Sequence, residues 1–136
     1  MNNQQLAFIT ARLTVAICFI GHGIVRLPKL QGFSDWMVDL FSKTFLPAPW
    51  VRGFSYFVPT AELLLGALLF LGLFTRASIM ASMLLLLALL FGSNLVEEWN
   101  WITSQMIYSL FFMFLFQHLE HNSWALDNLI KRPSLA

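Results

Sequence analysis

FSYFVPTAELLLGALLFLGLFTR, residues 54–76, decides the fold. About 20 apolar residues in a row are what a helix needs to cross roughly 30 Å of hydrocarbon at about 1.5 Å per residue. Arg52 and Arg76 bracket the stretch, as basic side chains do where they reach for the two water interfaces. Inside it sits a single carboxylate, Glu62. An ionisable group at that depth costs about 2.5–3.5 kcal/mol on insertion scales, so it has to face protein or trapped water. At helical spacing Ser55, Pro59 and Gly66 share its face, which sets a hydroxyl, a break in the hydrogen-bond ladder and a close-approach point toward neighbouring helices.

Composition agrees with a membrane span. The chain is 58% hydrophobic and 11% charged, against about 25% charged residues in soluble domains. Its 136 residues allow one integral membrane domain, residues 1–136, of four or five spans at most. A net charge of +1, with no basic patch interleaved with aromatics, argues against a nucleic-acid partner. Cys18 is the only cysteine, which excludes a dithiol–disulfide cycle within the chain. The N-terminal MNNQQLAF lacks the basic region of a cleavable signal peptide, so the first apolar run is expected to stay as a helix.

Outward from the central stretch, the spacing predicts three more spans, near residues 6–25, 77–96 and 102–119, around a second span near 54–75. The first ends at GHGIVRLPKL, where Gly21, Gly23 and Pro28 are read as punctuation. Between the first two spans, Phe33, Trp36, Met37, Leu40, Phe41 and Phe45 repeat at amphipathic-helix spacing. Ser34 is read as the N-cap of this interfacial helix over about 33–45, which closes the bundle end or gates a pocket. The third span carries small-residue steps at Ala77/Ala81, Ser78/Ser82 and Ala88/Gly92. The fourth is phenylalanine-rich and read as packing bulk. The fold expected is all-α, a transmembrane four-helix bundle running up-down-up-down. Orientation is undetermined: Arg12, Arg76, Lys131 and Arg132 stand on the terminal side against Arg26, Lys29, Lys43 and Arg52 on the other.

Four polar positions stand out as ligand-binding candidates: Glu62, His22, Arg12 and Arg26. Arg12 lies about 9 Å inside one interface if Leu6 marks the edge, and Glu62 about 12 Å inside the other. An arginine side chain can close the remaining gap in depth, so a buried Arg12–Glu62–His22 cluster is permitted, and so is an Arg12 that simply reaches back to the head groups. His22 shares a stripe with Cys18 and Arg26, and no second ligand is spaced with it for a metal or a haem. His118 and His121, three residues apart, lack a third helical ligand, and the EEWNW loop reads as a solvated turn. No metal site is expected.

Several of these features together resemble the DoxX family of small four-span membrane proteins. They are Arg12, FIGHGIVRL at 19–27, PTAELLLG at 59–66, LGLFTRA at 71–77 and the closing SWALD at 123–127. Where many members carry a lysine after the Gly segment, this chain has Arg26. The resemblance marks Arg12, Gly21, Gly23, Pro59, Glu62, Gly66, Gly72 and Arg76 as family positions. It implies a multi-pass protein of a bacterial or archaeal inner membrane, associated with oxidoreductase systems such as the small subunit of a thiosulfate–quinone oxidoreductase. On that footing the expectation is a small membrane subunit with no intrinsic cofactor, a quinone-sized groove near Glu62 and His22, and other redox subunits or a second copy as partners. The competing expectation is an assembly or scaffold protein whose polar residues only lock helices together.

Overall fold

A computed structural model of the chain describes residues 1–130, which fold into helices with no strand among them. The helices are α1 (Asn3–Arg26), α2 (Leu30–Leu40), α3 (Ala48–Leu71), α4 (Thr75–Leu95), α5 (Trp99–Gln117) and a short α6 (Asp127–Ile130). Lys131 and Arg132, part of the charge balance across the membrane, lie outside the described residues.

Three helical stretches are long and apolar enough to cross a membrane: α1, which the 3-10 turn Leu27–Lys29 carries on into α2, then α3, and α4. α5 has 19 residues, but Asn100, Thr103, Ser104 and Gln105 dilute its first turns, so its apolar part is the FFMFLF end. Only 33–39% of the most apolar window of each crossing stretch is buried inside the protein. The outward faces present Ile17, Leu64, Leu84, Leu87 and Leu110, an apolar belt suited to acyl chains.

α1 packs along α3, α3 on α4, α4 on α5, and α5 back on α1, closing a ring around a core of Phe8, Val15, Phe19, Leu69, Ile79 and Phe112. The α1–α3 seam is antiparallel and set by two glycines. A methyl group on Gly66 would lie 2.8 Å from the Ile20 nitrogen and 3.0 Å from the Ala16 carbonyl; one on Gly23 would lie 2.9 Å from the Pro59 carbonyl. Both backbones approach too closely for any side chain, the small-residue device of membrane helix pairs. Gly23 therefore packs the helix rather than ending it: α1 runs through Gly21 and Gly23 to Arg26, and Gly21 meets nothing within 4 Å.

Element ends differ from the sequence reading in ways the chemistry explains. Asn2 caps α1 with a capping box to Gln5, so the helix starts three residues before Leu6. α3 starts at Ala48 because Pro47 and Pro49 fit a first turn, where no amide partner is needed. The helix expected over about 33–45 is shorter and starts earlier. α2 ends at Leu40, and Ser34 is not an N-cap but a fully buried mid-helix residue whose hydroxyl pairs with that of Ser55 at 2.7 Å. Met37, Phe41 and Val51 make a second small core there, with the Phe41 ring against Gly92.

At the opposite end the α3–α4 turn is made by Gly72, with φ 65°, and Phe74, with φ 48°. Nothing local caps α4. The cap comes from far along the chain: Asp127 accepts the Phe74 amide at 2.7 Å and the Thr75 amide at 2.8 Å. The Leu126 and Asp127 amides donate in return to the Leu71 and Gly72 carbonyls. Ala125 sits so close to Gly72 that a methyl group there would lie 2.6 Å from its Cβ. Residues 122–127 clasp this turn.

Candidate functional site

The four polar candidates divide between the two ends of the bundle. Glu62, on α3, is 3% exposed and bound by Arg26, on α1, through one guanidinium nitrogen at 3.0 Å and 2.8 Å from its two oxygens. His22 lies one turn before Arg26, with Nδ1 3.8 Å from Glu62 Oε1 and its ring edge-on to Tyr108. Arg26 also stacks on Phe33, its guanidinium carbon 5.0 Å from the ring centroid.

Arg12 is not in this cluster. It is 2% exposed, and its two terminal nitrogens donate to the Asn122 side chain and the Trp124 carbonyl, the latter at 2.7 Å. Asn122 passes the network on by donating to Thr75 Oγ1 at 3.0 Å. The Arg12–Glu62 pairing permitted by depth is thus replaced by two separate locks. Arg26 lies one turn beyond His22 and has the shorter reach to Glu62, while the chain end folds back to meet Arg12.

The other marked positions support this arrangement. Ser55, Pro59, Glu62 and Gly66 are all buried on one side of α3. Gly72 forms the left-handed cap of α3. Arg76 is at the start of α4, over the Phe116 ring at 5.6 Å. At the far end of α5, His118 stacks on Phe114 with Nδ1 2.8 Å from that residue's carbonyl, and His121 pairs with Glu120 at 3.3 Å. Among the described residues no three histidine, cysteine or acidic side chains converge as metal ligands.

Glu62, Arg26 and His22 form part of the wall of a partly open cavity of about 670 Å³ lined by α1 to α5. Most of the lining is apolar, from Phe19, Met37, Phe54, Val58, Leu86 and their neighbours. The remaining polar groups of the lining were not singled out in the sequence: Ser93 on α4, and Ser104, Gln105 and Tyr108 on α5. Gln105 Nε2 donates to Ser93 Oγ at 2.9 Å, while its Oε1 is buried with no partner. Trp101, Ser104, Gln105, Tyr108 and Phe112 recur at helical spacing, which was the available signal. The phenylalanines that follow masked it, because they made the helix look uniformly apolar.

The assembly is a chemically compact one: a large apolar chamber with an ion pair and a histidine on one wall and an amide on another, inside helices whose outer faces suit lipid. A multi-pass α-helical membrane protein with an internal chamber is the class this defines. The DoxX family model matches residues 7–95, well over half of the chain, and the chain belongs to the DoxX family. That match contains Arg12, the glycine segment, Glu62, Gly66 and Arg76, and ends before α5 and the closing clasp. No curated protein and no solved structure matches the chain.

Proposed function

We propose that this protein is a small membrane subunit of a quinone-linked oxidoreductase system in a bacterial or archaeal cytoplasmic membrane. Its four long helices cross the bilayer up-down-up-down, with α5 as the fourth span and α2 lying in the interface as one wall of the chamber. The observation that carries the reading is the chamber itself. A volume of about 670 Å³ falls within the roughly 300–1,000 Å³ of small-ligand sites. Its mix of aromatic and aliphatic walls with a few polar groups suits an aromatic head group and the first part of a lipid tail. A bound quinone supplies a carrier for two electrons and two protons. The chain's own residues orient it and keep water out, and His22 stands beside it as the group able to exchange a proton. Electrons come from a partner subunit.

A second reading, an assembly or scaffold protein without a redox ligand, is favoured by one observation: both Glu62 oxygens are already held by Arg26, as in a helix lock. Mild-detergent purification of the tagged protein from native membranes, with mass spectrometry of chains and lipids, separates the two. Stoichiometric redox subunits or retained quinone support the first reading. A lone bundle or a homo-oligomer carrying ordinary lipids would sink it. Glu62→Gln sharpens the test: quinone-linked activity is expected to fall while the amount of assembled protein stays the same. A drop in amount alone points to the lock.

A further inference from the structure

The polar atoms that an occupant of the chamber can reach are nearly all donors. Arg26 holds both Glu62 oxygens through Nη1 alone. Its Nε–Nη2 edge, a planar fork of N–H groups, has no partner among the described residues. Neither ring nitrogen of His22 is hydrogen-bonded to a described residue, and Nδ1 stands 3.8 Å from Glu62 Oε1, beyond hydrogen-bond range. The His22 and Arg26 side chains keep 44% and 30% of their surface. The indoles of Trp36, Trp50 and Trp101, which only donate, line the exposed part of the cavity. The acceptors are occupied or shut away. Arg26 holds the Glu62 carboxylate, which is 4% exposed, and Gln105 Oε1 is buried.

Such a wall calls for a ligand whose head only accepts. A carboxylate fits best, because its two oxygens match the free edge of Arg26. Arg26 is the last residue of α1, so the head stays near that interface. The chain then runs inward past Phe19, seven residues and about 10 Å deeper, between Val58 and Leu86. Charge sets a second condition. Arg26 and Glu62 cancel, so a bound carboxylate needs one more positive charge in an apolar site. His22 is faced by Arg26 and Cys18 one turn away on its own helix, Glu62 on α3 and Tyr108 on α5, while α2 adds only apolar and aromatic side chains to the lining. Of these groups, imidazole is the one that ordinarily changes charge near neutrality. We propose that the chamber binds a long-chain carboxylic acid, a fatty acid taken from the bilayer. The acid O–H breaks, its proton goes to a ring nitrogen of His22, and the carboxylate rests on the Nε–Nη2 edge of Arg26 beside the imidazolium. The assignment stands apart from the quinone reading, since it rests on the donors alone.

The test uses the full-length protein in zwitterionic lipid nanodiscs and reads quenching of the tryptophans, with Trp36, Trp50 and Trp101 in the lining. The probes are dodecanoate brominated along its tail, its methyl ester, and the dodecyl phosphate and sulfonate with the same bromines, compared at equal mole fraction in the bilayer. Dodecanoate is expected to half-saturate at about a tenth of the ester's level, the scale of charge-assisted hydrogen bonds. Arg26→Lys keeps a charge for Glu62 and loses the fork, and is expected to bring acid and ester within about threefold. The sulfonate, ionised throughout, is expected to bind several-fold more tightly at about pH 6 than at about pH 8.5, and equally at both in His22→Gln. Equal binding of acid and ester by the unmodified protein overturns the carboxylate site, whether or not the variants fold. So does the lack of saturable quenching by every probe. Sulfonate binding that ignores pH in the unmodified protein overturns the transfer to His22. Tighter binding of the phosphate than of dodecanoate replaces the fatty acid by a phospholipid head group.

Discussion

Glu62 and Arg26 behave as one unit. Truncating either leaves the other charged and unpaired in a site that is 3% exposed at the carboxylate. Arg26→Leu is expected to destabilise the bundle by about 3 kcal/mol. The double change with Glu62→Leu should recover much of that, measured by reversible unfolding in mixed micelles; equal losses for single and double variants would show that the pair is not coupled. Gly66→Ala places a methyl group 2.8 Å from the Ile20 nitrogen, a backbone atom that cannot turn aside. A loss of about 1–3 kcal/mol is expected. Gly21→Ala, in open space away from the seam, is expected to be neutral or to gain up to about 1 kcal/mol from helix propensity. At this scale the sequence carried much of the answer. The cost of an intramembrane carboxylate put Glu62 inward, and helical spacing put Gly66 on the same side. The partner was not legible, because depth along the membrane normal constrains two helices without saying which side chain turns toward the other. Arg12 and Arg26 were both within reach, and only the folded chain end at Asn122 and Trp124 draws Arg12 away.

Among the elements, α2 shows how a short helix is fixed without a cap. Its polar side docks through Ser34 to Ser55, Gln31 accepts from the Tyr56 hydroxyl at 2.8 Å, and Asp35 accepts from Arg52 at 2.9 Å. The Arg52–Asp35 pair is solvent-facing, so Asp35→Ala is expected to shift the melting temperature little. Ser34→Leu, which forces bulk against α3, should lower it sharply; the reverse order would mean that α2 is held by charge rather than fit. The amphipathic spacing announced this helix but misplaced it by several residues, because Ser34 looks like a cap in isolation and is a docking hydroxyl in context. α5 was legible as a helix and not as a wall of the chamber, for its three polar cavity residues are spaced among bulkier apolar ones. The α3–α4 turn depends on a residue that local sequence cannot reveal. Asp127→Ala removes two hydrogen bonds from α4's first amides and is expected to cost about 0.5–2 kcal/mol, read from the same unfolding assay; an unchanged midpoint would mean that solvent caps α4 equally well.

For the molecule as a whole, the packing puts the start of α1, the α3–α4 turn and the chain's last described residues at one end. α2, the start of α3 and the α4–α5 connection gather at the other. With four crossings, cysteines introduced at Asn3 and Ser123 of a Cys18→Ser protein are expected to react with an impermeant maleimide from the same side, and one at Glu98 from the opposite side. Labelling of Asn3 and Ser123 from different sides would remove α5 as a span. Orientation was not legible in the sequence, because basic residues balance across the bilayer and the positive-inside preference acts on their difference. The clasp at residue 127 also has a bearing on biosynthesis. Phe74 and Thr75 obtain their acceptor from a residue 53 and 52 positions downstream, respectively. While the ribosome is still translating α5, the α3–α4 hairpin is already made yet lacks its acidic cap, and Arg12 lacks both of its acceptors. Closure of that end is therefore timed by translation of residues 122–127, and the hairpin waits on a segment made well after it.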